Sequence, residues 1–124
     1  ITTAHGSVLL PADIEKKSEA ELLARAGDLL PSTVLVAPHH GSKTSSTEEF
    51  VQRVHPRLTI FTVGYRNRFG HPKEEVVERY RVLGSRMLRS DNDGAVLLRF
   101  ANGDVAAESW REVRRRYWQD IPLP

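Results

Sequence analysis

The sequence contains no cysteine. This absence excludes disulfide bonds, cysteine-type zinc fingers and thiol catalysis. It also lacks any run of the roughly 18–20 apolar residues that a membrane-spanning helix needs, and no charged region followed by an apolar one stands at the N-terminus. We therefore expect a soluble domain. The single methionine is Met87 and the chain does not begin with one, so we expect a piece of a longer protein.

What remains is the composition of a small globular fold. Of the 124 residues 40 % are apolar, with only 8 glycines and 7 prolines, which indicates one domain with a modest core. The formal net charge is +2, and the excess of basic residues lies in the second half of the chain. Most of the basic residues are arginine, whose planar guanidinium suits phosphate or carboxylate groups.

Strand and helix patterns alternate through the first two thirds of the chain. Apolar runs at 7–10, 33–37 and 58–63 predict three strands, and each is followed by a loop and a helical pattern. Three β-α units in series imply right-handed crossovers, and hence parallel strands covered by helices. The fold class is therefore α/β.

The predicted helices have recognisable start and stop signals. Capping boxes at 18–21 (SEAE) and 46–49 (STEE) predict the first two starts, and Pro72 predicts the third. Gly27 and Gly84 are expected just beyond the ends of the first and third helices.

The pattern changes after residue 84. Runs at 86–89, 95–100 and 105–110 predict three short antiparallel strands, separated by the turn sequences DNDG (91–94) and NG (102–103). We assign residues 1–110 to the folded domain and residues 111–124 to a basic C-terminal arm.

Potential metal ligands follow all three predicted parallel strands. Asp13 follows the first strand, His39 and His40 follow the second, and His71 follows the third. Because the carboxyl ends of parallel strands meet at one edge of a sheet, we expect these side chains to lie close together. Imidazole and carboxylate groups suit zinc, manganese or iron, and a catalytic site keeps one position open for water.

Each candidate has an ordinary structural alternative. Asp13 could be a turn or cap residue, His71 could simply precede a helix, and one of the paired histidines could orient its neighbour. Gly41 allows close backbone approach, and the hydroxyl-rich residues after it could face an anion. We treat His5 and His55, which lack such a setting, as structural or surface residues.

Three segments carry a resemblance to a known family. PHHGSKTSS (38–46), GYRNRFGHP (64–72) and SDNDGAVLL (90–98), preceded by VLLPADIE (8–15), resemble the second half of the metallo-β-lactamase-like domain of the ComEC competence family of inner-membrane DNA-internalisation proteins. The likeness covers roughly residues 5–100. It implies half of an αββα sandwich, whose complete form binds two metal ions, commonly zinc or manganese, and hydrolyses phosphodiesters.

The resemblance also implies roles for individual residues. Asp13 matches an aspartate expected to bridge metals, His39 or His40 matches a later histidine ligand, and His71 matches the histidine of the GHP segment. Asp13 and His39 are the expected catalytic pair. Residues expected to meet phosphate or DNA are Lys43 and Ser45 in the HHGS loop and Arg66 and Arg68 beside the GHP segment.

Two departures from the family pattern limit these expectations. Pro11 and Ala12 stand before Asp13 where the family has threonine and glycine, and no H-x-H-x-D-H motif occurs anywhere in the sequence. In this fold that motif belongs to the first half of the domain. We therefore expect a half-domain that is weakly metal-binding or metal-free, and inactive by itself.

The resemblance implies partners as well. They are DNA, entering as a single strand during uptake, the preceding half of the same domain, and the membrane channel of a bacterial inner-membrane parent. An unpaired sheet edge could instead support a homodimer.

The segment WREVRRRYW (110–118) interleaves arginine and aromatic residues, which suits either nucleic-acid contact or an amphipathic helix docked on the domain. Two other functions stay open: a metallohydrolase acting on a small phosphate ester or lactone, and a non-catalytic DNA-binding module.

Overall fold

The computed structural model describes residues 1–114. Its main sheet has five strands, which in chain order are β1 Thr2–Thr3, β2 Gly6–Leu9, β3 Val34–Val36, β4 Leu58–Phe61 and β5 Arg86–Arg89. They lie side by side in the order β1-β2-β3-β4-β5. The short β1 is antiparallel to β2, and each later pair is parallel.

Three helices connect the parallel strands: α1 Lys16–Ala26, α2 Glu48–Val54 and α3 Glu74–Val82. Since adjacent parallel strands are joined by right-handed crossovers, all three lie on the same face of the sheet. The mixed α/β class predicted from the sequence is confirmed.

The helix starts differ from the predicted ones. α1 begins at Lys16 rather than at the SEAE box, and the cap of α2 is Thr47, whose hydroxyl accepts the Phe50 N–H. α3 begins at Glu74 because Pro72 and Lys73 are used to close the preceding loop, where the Lys73 N–H donates to the Gly41 carbonyl at 3.0 Å. The starts thus differ from the predicted ones by one to three residues.

The prediction that residues 86–89 form an antiparallel strand is wrong. β5 pairs parallel to β4 as a fourth parallel strand of the main sheet. α3 returns the chain to the amino end of the sheet, and the Thr59 and Ser85 hydroxyls, 2.8 Å apart and buried, link β4 to the start of β5.

Only the last two predicted strands form an antiparallel pair. β6 Val96–Ala101 and β7 Asp104–Ser109 are joined at Asn102 and Gly103, whose φ values of 53° and 74° match the predicted NG hairpin. The DNDG segment is not a simple turn, because Ser90–Asp93 forms a short helix, α4.

The main sheet separates two apolar cores. Val34 and Leu35, adjacent on β3, are both fully buried but on opposite faces, as the two-residue period of a strand requires. The helix side contains Phe50, Phe61 and Tyr80 among others. The opposite side is covered by the β6-β7 hairpin, so the layers are helices, sheet and hairpin.

The predicted boundary at residue 110 falls inside a short helix, α5 Trp110–Val113. This helix is joined to the domain, since the Trp110 N–H donates to the Ala95 carbonyl at 2.8 Å. Residues 115–124, which make up most of the predicted arm, lie outside the described residues. Within residues 1–114 no helix has the length and apolar character needed to cross a bilayer.

Candidate functional site

Loops at the carboxyl ends of β2, β3 and β4 bring the four predicted metal ligands together. The His39 ring centroid lies 6.3 Å from that of His40 and 6.2 Å from that of His71. His40 Nε2 lies 3.4 Å from Asp13 Oδ1. The parallel alignment of the strands therefore gathers residues that are far apart in the sequence.

The loop that carries the two histidines has an unusual backbone. His39 and His40 both adopt left-handed conformations, with φ values of 47° and 57°. Such consecutive non-glycine residues are strained and persist only when surrounding contacts hold them. One contact is the His39 N–H donating to the Ala12 carbonyl at 3.0 Å. Another is Gly41, which lies so close to Pro72 that an added Cβ would stand 2.5 Å from the proline Cβ.

His40 has a defined ring orientation. Its Nδ1 lies 2.7 Å from the Thr62 carbonyl oxygen, which can only accept, so Nδ1 carries a proton. In the neutral ring Nε2 is then an acceptor facing another acceptor, Asp13 Oδ1. A cation between the two atoms would stabilise this pair. The same arrangement, with one ring nitrogen anchored to a carbonyl, is typical of metal-binding histidines.

His39 presents an unsatisfied polar atom. Its Nδ1 is buried and lacks a hydrogen-bond partner among residues 1–114. Glu15 Oε1 is 3.2 Å away, but not in a hydrogen-bonding geometry, and that oxygen already accepts the Thr44 hydroxyl at 2.9 Å. A buried nitrogen without a partner beside a carboxylate is a position where a cation or proton would be stabilised.

His71 is held by a side chain that the sequence analysis did not single out. The Asn67 amide donates to the His71 carbonyl at 2.9 Å, and its oxygen accepts the His71 N–H at 2.8 Å. The Phe69 ring stacks on the imidazole at a centroid distance of 5.9 Å. A signal for Asn67 was present in the sequence, because it stands four residues before His71 in the segment GYRNRFGHP (64–72) that carries the resemblance.

The electrostatic setting of His71 favours a neutral ring. Burial lowers its pKa below the ordinary histidine value, and Lys73 together with the other two loop histidines lowers that pKa further. A neutral imidazole is the form that binds a metal ion. Glu15 and Thr62, which contact His39 and His40, are further residues missed from the sequence; for Glu15 the only signal was its place two residues after Asp13.

The residues expected to meet phosphate lie in two different environments. Lys43, Arg66 and Arg68 are exposed. They belong to the loops near the rim, by which we mean the carboxyl edge of the sheet where the four predicted ligands lie. Ser45 is fully buried, and its hydroxyl donates to the Pro38 and Ser42 carbonyls, each at 2.9 Å. Ser45 therefore supports the loop from inside and does not reach the surface where a phosphate would lie.

The donor set fits zinc or manganese in its chemistry, with imidazole and carboxylate groups at one rim and an unpartnered His39 nitrogen. In the part of the chain that the structure describes, however, no three histidine or carboxylate side chains form one metal-binding group. Beside these residues a cavity of about 250 Å³ opens, lined by His40, Thr62, Asn67, Phe69 and His71 among others. Within residues 1–114 the rim therefore brings imidazole and carboxylate groups near one another without forming a metal-binding group.

The chain is similar to three curated bacterial proteins. It is 37 % identical over 123 residues to Competence protein ComA of Neisseria gonorrhoeae and 35 % identical over 100 residues to ComE operon protein 3 of Bacillus subtilis. Recombination protein 2 of Haemophilus influenzae is 34 % identical over 100 residues. The chain is related to competence proteins.

The relationship covers most of this chain but little of each relative. The matches span 99 % of the chain for the gonococcal competence protein and 81 % for the other two, yet 18 %, 13 % and 12 % of the respective relatives. No family model and no solved structure matches the chain. The competence relationship therefore rests on sequence identity with these proteins.

Proposed function

We propose that this competence-related chain is the C-terminal part of a metal-dependent phosphodiesterase domain that cleaves DNA during uptake. The observation that carries the proposal is the meeting of Asp13 with His39, His40 and His71 at the carboxyl edge of the sheet. A role in competence is supported by the named relatives. The metallo-β-lactamase-like identity of the domain is part of the proposal.

In this proposal the four residues are ligands for zinc or manganese. Such an ion, when bound, would polarise a phosphoryl oxygen and lower the pKa of a bound water. The chain itself holds the ligands in place: Thr62 fixes the His40 ring and Asn67 fixes the His71 backbone. Lys43, Arg66 and Arg68 supply positive charge for the phosphate backbone.

The remaining ligands come from the half of the domain that precedes this chain. One observation supports this: β5 pairs only with β4 among the described strands, which leaves its other edge open to a preceding half of the domain. We place the complete domain in a membrane-bound DNA-uptake protein. The isolated chain is then inactive and binds metal weakly. Titration with zinc and manganese, followed through the NMR signals of the histidines, tests this. Tight binding of two ions would contradict this.

The catalytic proposal is tested in the natural full-length chain by its cleavage of single-stranded DNA with and without added manganese or zinc. His40→Asn should lower metal-dependent cleavage by roughly 100-fold or more. It removes a proposed metal ligand, and the loss of a ligand reduces activity more than the loss of a residue that only supports one, which typically costs about 10- to 100-fold. His55→Asn is the matched control, since His55 is exposed, also has a positive φ of 47°, and lies away from the rim. Asparagine tolerates that conformation.

Other results assign a different function. Equal cleavage by wild type and His40→Asn would overturn the catalytic role of the rim. DNA binding without cleavage would leave a non-catalytic DNA-binding module, which the incomplete ligand set favours as the second candidate. Hydrolysis of a small phosphate ester or lactone, with DNA left intact, would assign another substrate to the same site.

A further inference from the structure

The loop between β4 and α3, residues 64–70, exposes two aromatic rings. Tyr65 is 65 % exposed and Phe69 is 61 % exposed. Neither ring belongs to the two apolar cores. Two exposed aromatic rings on one short loop can be covered by a ligand that stacks on them.

Each of these rings is next to a guanidinium group. The Arg66 guanidinium carbon is 5.2 Å from the centre of the Tyr65 ring, and that of Arg68 is 5.1 Å from the centre of the Phe69 ring. Among residues 1–114 neither arginine pairs with a carboxylate, whereas Arg57, Arg81 and Arg89 each do. Residues 65–69 therefore carry two exposed aromatic rings and two arginines without a carboxylate partner among residues 1–114.

The loop is held in one conformation by its own hydrogen bonds. The Asn67 N–H donates to the Gly64 carbonyl at 3.1 Å, the Gly70 N–H donates to the Asn67 carbonyl at 3.2 Å, and the Lys73 ammonium donates to the Phe69 carbonyl at 2.7 Å. A ligand that binds here does not have to order the backbone, which preserves its binding free energy.

The aromatic faces adjoin the candidate site. Phe69 stacks on His71 and lines the cavity of about 250 Å³ with His40 and Thr62. A flat group stacked on Phe69 would place the neighbouring unit of the same polymer beside the His40 and His71 rings. A polymer in which flat rings alternate with anionic groups has the required chemistry.

We propose that Tyr65 and Phe69 form a base-stacking platform that binds unpaired DNA and delivers it to the rim, with Arg66 and Arg68 contacting its phosphates. This rests on the proposed function and specifies the form of its substrate. Bases of a duplex are already stacked on each other, whereas those of a single strand are free to stack on protein side chains. The proximity to the histidines favours DNA over a lipid surface, which aromatic and arginine side chains also contact.

The test measures the affinity of the 124-residue chain for a labelled thymidine oligonucleotide in EDTA, which removes metal and prevents cleavage. Tyr65→Ala and Phe69→Ala should each weaken binding roughly 5- to 150-fold, the range expected for one base stack. Tyr65→Phe keeps the ring and should bind like wild type. Leu29→Ala is the matched control, because Leu29 is 82 % exposed and apolar but lies far along the chain after α1.

The phosphate contacts have their own measurement. Arg66→Gln and Arg68→Gln should each reduce the slope of log affinity against log salt by about 0.7 per lost contact with a single strand. Arg25→Gln removes the same charge from the exposed surface of α1 and should leave the slope unchanged. Circular dichroism confirms that each variant folds, and the same variants in the natural full-length chain should keep the same order of affinity.

Three outcomes would overturn the platform: wild-type affinity of both alanine variants, equal affinity for a blunt duplex of the same length, or ring-dependent binding to anionic lipid vesicles without binding to the oligonucleotide. Ring-dependent binding of the oligonucleotide, in a parent that does not cleave DNA, supports the platform and rejects the nuclease proposal. Cleavage that persists with both rings removed, at unchanged binding, supports the nuclease proposal and rejects the platform.

Discussion

At the scale of single residues, the histidine loop depends on one glycine. Gly41 has a φ of +82°, and its missing Cβ lets the loop pack against Pro72. The Gly41 carbonyl also accepts the Lys73 N–H. This contact connects the loop that carries His39 and His40 to the segment that carries His71. The spacing of the three imidazoles therefore depends on a residue that has no side chain.

Gly41→Ala should destabilise the chain more than Gly84→Ala does. Both glycines have φ near +80°, so both variants pay the roughly 1–2 kcal/mol of an alanine in this region. Only at position 41 does the new methyl group meet other atoms, those of Pro72, and overpacking adds about 1–3 kcal/mol. Urea unfolding measured by circular dichroism gives both values. Equal losses would show that the close approach to Pro72 has no energetic consequence.

His71 makes stability depend on pH. Burial and the nearby Lys73, His39 and His40 hold its pKa below the unfolded value of 6.5, so the unfolded chain takes up this proton first as pH falls. The stabilisation is therefore fully present above about pH 6.5 and is lost as pH falls through the folded pKa.

His71→Gln should flatten the fall in melting temperature between about pH 7 and pH 5, because it removes this titration. His55→Asn, which changes an exposed histidine, should retain most of the wild-type fall. An unchanged pH profile in His71→Gln would mean that another group is responsible.

At the scale of secondary-structure elements, one buried carboxylate joins two helices. Glu19 of α1 is fully buried and accepts the N–H groups of Ser46 and Thr47, at 2.5 and 2.9 Å, at the start of α2. The Ser46 hydroxyl is 2.8 Å from that of Tyr80 in α3, whose pKa is raised mainly by burial. A residue predicted to begin its own helix thus holds the segment that leads into a different one.

Glu19→Ala should lower the free energy of unfolding by about 2–4 kcal/mol, because one buried and one partly buried N–H group lose a charged acceptor. Glu19→Gln keeps one acceptor oxygen without its charge and should lie in between. Glu21→Ala, an exposed change in the same helix, should stay within about 0.5 kcal/mol of wild type. Chemical denaturation separates the three, and similar values for Glu19→Ala and Glu21→Ala would contradict a stabilising role of the Glu19 hydrogen bonds.

At the scale of the whole molecule, the β6-β7 hairpin covers the face of the sheet that the helices leave open. Its inward residues include Val96, Leu98 and Val105, which pack against Val34 and Leu58 of the sheet. Every layer is therefore needed to bury the parallel strands, whose two faces are both apolar. The stability of the rim depends on this packing, although the hairpin contributes none of the predicted ligands.

Leu98→Ala and Leu97→Ala test this layer as a matched pair of neighbours on β6. Leu98 packs on the sheet, so its truncation should cost about 1.5–3 kcal/mol. Leu97 is 58 % exposed on the other face of the hairpin, and its truncation should cost less than about 0.5 kcal/mol. Thermal and urea unfolding measure both, and a larger loss for Leu97 would mean that the hairpin packs by its opposite face.

The features that the sequence by itself determined are local ones. The alternation of strands and helices, the NG hairpin and the position of Asp13, His39, His40 and His71 at strand ends follow from periodicity and turn chemistry within a few residues. Those side chains meet because parallel strands align their carboxyl ends, which follows from the alternation alone.

Only the tertiary structure decided the features that join distant segments. The parallel pairing of β5, the burial of Ser45 and the hydrogen bond from the Ser46 N–H to Glu19, 27 residues away, all depend on partners that no local pattern specifies. The left-handed backbone of His39 and His40 is likewise held by Ala12 and by the close contact of Gly41 with Pro72. Such conformations cost free energy locally, and they form only because contacts between remote residues more than offset that cost.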